Sequence, residues 1–282
     1  MNAELLVKPE RLAQWIERGR CVVVDCRFDL TDEKKGREGY LSGHIPGAHY
    51  AHLGEDLAAP MTPESGRHPL PDTGAFAMFL SRIGWSDDKL LVAHDTGNNS
   101  IAVRLWWLMR YFGRKAALLD GGLASWTRAG LPLVSGAVQV EVTPLPVLAS
   151  DPSMIVLAED ILLNLGTKNL TVVDARAPER YSGKIEPLDA RAGHIPGAIN
   201  RPFSLNLDEF NCFKSPGQLR GEFEALLQGR PQDTVVHSCG SGVTACHNRF
   251  AMELAGMEDT RIYPGSWSEW SRDDSRPIES SA

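Results

Sequence analysis

The chain lacks any apolar run approaching the roughly 20 residues that cross a bilayer, and its opening, MNAELLVKPERLAQWIERG, is too charged to serve as the apolar core of a secretory signal. A membrane role is excluded by this pattern and a cytoplasmic protein is expected. Basic residues are also in deficit. Twenty-nine Lys and Arg stand against 36 Asp and Glu, a net charge of −7, with no basic block dense enough to follow a phosphate backbone, which argues against nucleic acid as a partner. Cysteine is scarce and odd in number: Cys21, Cys26, Cys212, Cys239 and Cys246 show neither the paired short spacings of a zinc site nor the density of a disulfide scaffold. What is present is ordinary globular composition, 43% hydrophobic and 23% charged, spread over 282 residues. That length calls for two cores rather than one.

Compared with itself, the chain repeats. Val22-Val23-Val24-Asp25-Cys26-Arg27 returns as Thr171-Val172-Val173-Asp174-Ala175-Arg176, and Gly43-His44-Ile45-Pro46-Gly47-Ala48 returns as Gly193-His194-Ile195-Pro196-Gly197-Ala198. Farther on, Leu119-Asp120-Gly121-Gly122 through Trp126 pairs with Tyr263-Pro264-Gly265-Ser266 through Trp270. A unit of about 130 residues is therefore duplicated. Within each copy, short β-branched runs such as Cys21 to Asp25, Leu90 to His94, Leu170 to Asp174 and Thr234 to Ser238 alternate with stretches of helical period. Near-continuous apolar strands are buried on both faces, so an α/β fold is expected: two domains, each a mainly parallel sheet flanked by helices, with chemistry beyond the carboxyl ends of the strands. The expected division is residues 1–138, a linker 139–152 lying in the proline-bearing stretch from Gly136 to Ser153, and residues 153–282.

One loop stands out. After the strand ending at Ser238 the chain reads Cys239-Gly240-Ser241-Gly242-Val243-Thr244-Ala245 and then takes up a helical pattern. Two glycines within four residues let the backbone curl and aim successive N–H groups into one hollow, to which the helix N-terminus adds partial positive charge. Such a cradle favours an anion, and the nearest one is the thiolate of Cys239 itself. A buried apolar filler is the commonest fate of an isolated cysteine, but a strand end followed by Gly-x-Gly is a better place to present a side chain than to pack one. At the matching place in the first copy, Asp95 stands where the cysteine would be. A carboxylate cannot become a thiolate nucleophile, so the first domain is expected to be inert.

Tyr40-x-x-x-His44-Ile-Pro-Gly-Ala48, its second copy around His194, the closing Tyr263-Pro-Gly-Ser-Trp-Ser-Glu-Trp270 and the Cys239 loop together resemble a tandem-domain rhodanese over nearly the whole chain. The loop is similar to that of 3-mercaptopyruvate sulfurtransferases. The resemblance implies that Cys239 takes a sulfane sulfur from a small-molecule donor as a persulfide and passes it to a thiol such as thioredoxin or glutathione, or to cyanide. The backbone donors from Gly240 through Gly242, Val243 and Thr244 would hold the persulfide, with no metal or organic cofactor. Gly240 and Ser241 bring no cationic charge of the kind thiosulfate-using members carry there. 3-Mercaptopyruvate is thus the expected donor and thiosulfate the alternative. The resemblance further implies that Ser241 is linked to a histidine, matched by His68, and to an acid. At the acid's position this chain has Gly54, beside Glu55 and Asp56. It also implies two arginines on the donor. Arg180 matches the first; the second falls where this chain has Leu188, and Arg191 is the nearby candidate.

The remaining repeated residues read as structural. His44 and His194 each open an Ile-Pro-Gly-Ala turn, Asp25 and Asp174 end strands, and Trp267 and Trp270 are core or wall packing. Two rival functions separate cleanly. A cysteine-dependent phosphatase needs an arginine five residues after the cysteine, where this chain has Thr244. A non-catalytic sulfur-relay module would accept its sulfur from a partner protein and turn over no small donor.

Overall fold

The computed structural model describes residues 5–167 and 169–281, and these fall into two compact units. The first contains β1 (Leu6–Val7), α1 (Pro9–Glu17), β2 (Cys21–Asp25), α2 (Lys34–Ser42), β3 (His49–Tyr50), α3 (Thr73–Arg82), β4 (Leu90–His94), α4 (Ala102–Tyr111), β5 (Ala116–Leu119) and α5 (Gly122–Arg128). Its strands form one parallel sheet in the order β1-β5-β4-β2-β3. Helix α1 starts where Pro9 tolerates the missing N–H donor, and α3 starts where the Asp72 carboxylate accepts from the Ala75 amide at 2.7 Å. Val7, Leu12, Val23, Ile45, Val92, Leu119 and Trp126 make one core cluster, all buried.

The second unit repeats the plan. It contains α6 (Ala158–Leu163), β6 (Thr171–Asp174), α7 (Pro178–Tyr181), β7 (Ile199–Asn200), α8 (Pro216–Leu227), β8 (Val235–Ser238), α9 (Ala245–Leu254), β9 (Arg261–Ile262) and α10 (Ser266–Trp270), with a parallel sheet ordered β7-β6-β8-β9. Where β1 pairs with β5 in the first unit, a single parallel bridge joins Ile155 to Ile262 here. The fifth strand is thus reduced to one residue pair. Val156, Ile161, Val172, Ile195, Val236, Tyr263, Trp267 and Trp270 form the core.

The repeated residues do repeated structural work. His44 stacks on Tyr40 with ring centres 4.2 Å apart and lies 2.8 Å from the Tyr40 carbonyl; His194 does the same with Tyr181 at 3.8 Å and 2.8 Å. Asp25 and Asp174 each receive a guanidinium two residues on: the Nη2 of Arg27 and of Arg176 both lie 2.7 Å from a carboxylate oxygen, and each also donates to a glycine carbonyl, Gly43 or Gly193. Trp126 and Trp270 both donate at 2.9 Å to a proline carbonyl, of Pro132 and Pro277.

Two short segments depart from a strictly sequential division. Pro60–Pro69 belongs with the second unit and Glu209–Cys212 with the first. The reason is hydrogen bonding and packing made only after folding. The Arg67 amide donates to Ser268 Oγ at 3.0 Å, and Arg272 donates to the carbonyls of Thr62 and Ser65, both at 2.9 Å. In the other direction, the Arg128 guanidinium lies over an aromatic face, 5.4 Å from the Phe210 ring centre. The expected linker runs with the first unit, where Thr143 Oγ1 donates to the Trp85 carbonyl at 2.7 Å and the Asp151 amide to Tyr111 at 2.8 Å. No helix among the described residues is long and apolar enough to cross a membrane.

Candidate functional site

The parallel register aligns Asp174 with Ser238, so the loop after β8 leaves the sheet at its carboxyl end. Cys239 opens it. The Cys239 amide donates to Ser266 Oγ at 3.1 Å, while its carbonyl and that of Gly240 accept from Trp267 at 3.0 Å and Ser268 at 2.8 Å. The segment 263–268 is therefore laced to the loop from beneath. Gly242 sits at φ +77°, and a Cβ there would come within 2.3 Å of the Pro264 carbonyl oxygen, so only glycine lets the loop turn this close to that segment. This lacing has a consequence that the strand-end position does not disclose. Cys239 is 1% exposed, a covered thiol rather than one presented to solvent.

The two matched loops treat their backbone donors differently. In the first unit the Asp95 carboxylate is buried and accepts from four amides: Gly97 at 3.0 Å, Asn99 at 2.9 Å, Ile101 at 3.0 Å and Ala102 at 3.5 Å. Burial pushes its carboxyl up and the four amides push back. The Asp95 loop has filled its own anion cradle. At the positions that match Gly97 and Asn99, the Ser241 and Val243 amides have no protein acceptor among the described residues. The cradle in the second unit is open to an anion held on Cys239. Asp95→Ala, which orphans four buried donors, is expected to destabilise the protein by about 2 to 4 kcal/mol; thermal or urea unfolding checks this.

Above the loop stand two guanidiniums. A Cβ placed on Gly240 would lie 3.0 Å from Arg67 Nη2 and 3.3 Å from Arg180 Nη1. Arg180 is held from behind by Glu186, with Nη2 to Oε1 at 2.7 Å and Nε to Oε2 at 3.3 Å, and by Asp189 Oδ2 at 3.2 Å. Arg67 Nη1 is paired with Asp189 Oδ1. The outward nitrogens, Arg67 Nη2 and Arg180 Nη1, have no protein acceptor among the described residues. Ser241 Oγ is 2.8 Å from His68 Nδ1.

The structure thus brings Cys239, Gly240, Ser241, Gly242, Val243, Thr244, His68 and Arg180 into one region of the second unit, and adds Arg67, which the sequence reading passed over although it adjoins His68. Arg191 is placed otherwise. Its Nε donates to the Ser271 carbonyl at 2.7 Å, and its two Nη groups donate to the carbonyls of Arg276, Trp270 and Asp273. That guanidinium fastens the C-terminal segment, with four of its five N–H donors on main-chain carbonyls. The two acids considered for His68 have partners within the first unit: Glu55 lies 2.7 Å from Arg37 Nη2, and Asp56 accepts from the His52 amide at 2.8 Å and pairs with Arg82.

Comparison with known proteins follows the same lines. A model of the rhodanese-like domain matches residues 8–129 and again 157–273. A Pseudomonas aeruginosa protein named "Probable 3-mercaptopyruvate sulfurtransferase" is 43% identical over 281 residues, covering 99% of both chains. The thiosulfate sulfurtransferase of Bos taurus is 34% identical over 278 residues, 94% of this chain and 91% of that one. Among solved structures, SseA of Escherichia coli, described as a 3-mercaptopyruvate sulfotransferase of rhodanese fold, superimposes with a TM-score of 0.81 at 33% identity over 95% of this chain and 100% of that one. With both units matched by the domain model and full-length relatives well above 30% identity, the chain belongs to the rhodanese family.

Proposed function

We propose that the protein is a sulfurtransferase that moves a sulfane sulfur from 3-mercaptopyruvate to a thiol or cyanide through a persulfide on Cys239. The observation that carries this reading is the pairing of an open amide cradle at Cys239 with two guanidiniums whose free nitrogens converge over Gly240. A planar carboxylate matches such a pair. The relatives named for mercaptopyruvate and the uncharged Gly240-Ser241 sequence support the same donor.

In this reading Arg67 and Arg180 orient the donor acid. The Cys239 thiolate attacks the donor sulfur, the C–S bond breaks, and its electron pair becomes the enolate of pyruvate, which is then protonated at carbon. Ser241, set by His68 at 2.8 Å, offers its hydroxyl to the developing enolate oxygen. The Ser241 and Val243 amides receive the anionic outer sulfur of the persulfide. An acceptor thiol attacks that sulfur and restores the thiolate.

The test is kcat/KM for mercaptopyruvate and thiosulfate measured side by side, with pyruvate and thiocyanate as products. Mercaptopyruvate should be the better donor. Ser241→Ala should cut kcat with mercaptopyruvate by about 10- to 100-fold and thiosulfate turnover far less, because sulfite leaves without an enolate. Equal losses with both donors contradict the role given to Ser241.

A further inference from the structure

Two arginines side by side repel, and what binds them together is a single carboxylate. Asp189 gives one oxygen to Arg67 and the other to Arg180, with only 5% of its side chain exposed. Behind it, Glu186 is 3% exposed and fixed in place: it pairs with Arg180 at 2.7 Å and Arg176 at 3.3 Å and accepts from the Leu188 and Asp189 amides. Arg176 is matched in turn by Asp174 at 2.7 Å. Three guanidiniums therefore meet three carboxylates. The surface that faces Gly240 presents directed N–H donors with no net charge behind them.

We infer that Asp189 sets the charge class of the donor, holding the two guanidiniums in a neutral group that accepts the single carboxylate of a 2-oxo acid and disfavours a dianion such as thiosulfate. The inference rests on the proposed use of this site and deepens it. Donors directed at a carboxylate bind it by geometry, whereas a dianion needs uncompensated positive charge, and a low-exposure carboxylate a few ångströms away, little screened by solvent, offsets that charge and opposes the ligand directly. Removing the Asp189 charge helps a dianion about twice as much as a monoanion, so the ratio between donors must move even if the tie itself is loosened. Burial pushes the Asp189 carboxyl up, and the Arg67 and Arg180 guanidiniums oppose that shift.

The experiment compares wild type, Asp189→Asn and Asp189→Glu, each with mercaptopyruvate and with thiosulfate. Asp189→Asn should shift the ratio of kcat/KM values toward thiosulfate by about tenfold, and Asp189→Glu, which keeps the charge, should leave the ratio near that of wild type. A ratio unmoved in Asp189→Asn, with both donors falling in parallel, would make the residue a mere tie and overturn the inference. Should Asp189→Asn fail to fold, the wild-type enzyme still decides: sulfate should compete with mercaptopyruvate no better than acetate does, and a tenfold stronger inhibition by sulfate overturns the inference. A wild-type protein that loads sulfur from neither donor instead defeats the reading of the site as a whole.

Discussion

Cys239→Ser should abolish sulfur transfer, lowering turnover by at least about a thousandfold, and donor-treated protein should no longer gain the mass of one sulfur, about 32 Da. The argument for so large an effect lies in the chemistry and the environment together. Among the five cysteines, Cys239 alone opens a loop in which two amides, those of Ser241 and Val243, have no protein acceptor among the described residues. Cys246 is buried with its sulfur 3.3 Å from the Gly242 carbonyl, and burial pushes the thiols of Cys21 and Cys26 up, to about 11 for Cys21, so neither supplies a thiolate at neutral pH. Serine keeps the fold, since the loop is laced through main-chain groups of residues 239 and 240, but a hydroxyl cannot store the sulfur. Intact-mass measurement after donor treatment checks the assignment. A mass gain persisting in the variant would place the carrier elsewhere.

The second large effect is expected at Arg67. Arg67→Met should raise KM for mercaptopyruvate by about 100-fold while lowering kcat much less, as befits removal of a charge-assisted contact to the donor's acid rather than to the reacting atoms. Arg180→Met should behave alike. The two are not additive, because each shares Asp189 with the other and loss of either leaves that buried carboxylate with one guanidinium. Arg191→Met is the contrast: its guanidinium serves the carbonyls of residues 270–276, so the variant should lose stability and keep the KM of wild type. Steady-state kinetics with thermal melts separates the cases.

The pattern of what could be foreseen follows from the range of the interactions. The parallel sheets and the Cys239 loop were legible because burial on both faces and a Gly-x-Gly turn leave local marks in the chain. That Asp95 stands where the second copy has its cysteine was likewise readable from the repeat, though its four amide partners were not. Ser241 and His68 were named from the family pattern, and they meet at 2.8 Å across 173 residues of sequence. What stayed hidden was tertiary. Arg67 carries no motif of its own; its place over Gly240 is made by the Ser268 and Asp189 contacts. Arg191 looked suitable by sequence distance alone, and the covering of Cys239 comes from a segment some 25 residues downstream. The assignment of residues 60–69 to the second unit has the same origin.

That assignment bears on how the protein is made. Arg67 and His68, whose side chains stand beside the Cys239 loop, leave the ribosome early, whereas Cys239 itself emerges near the end of synthesis. A nascent chain therefore cannot assemble this arrangement piecemeal, and excising residues 153–282 alone would keep Cys239, Ser241 and Arg180 but lose the Arg67 guanidinium and the His68 imidazole that meet them.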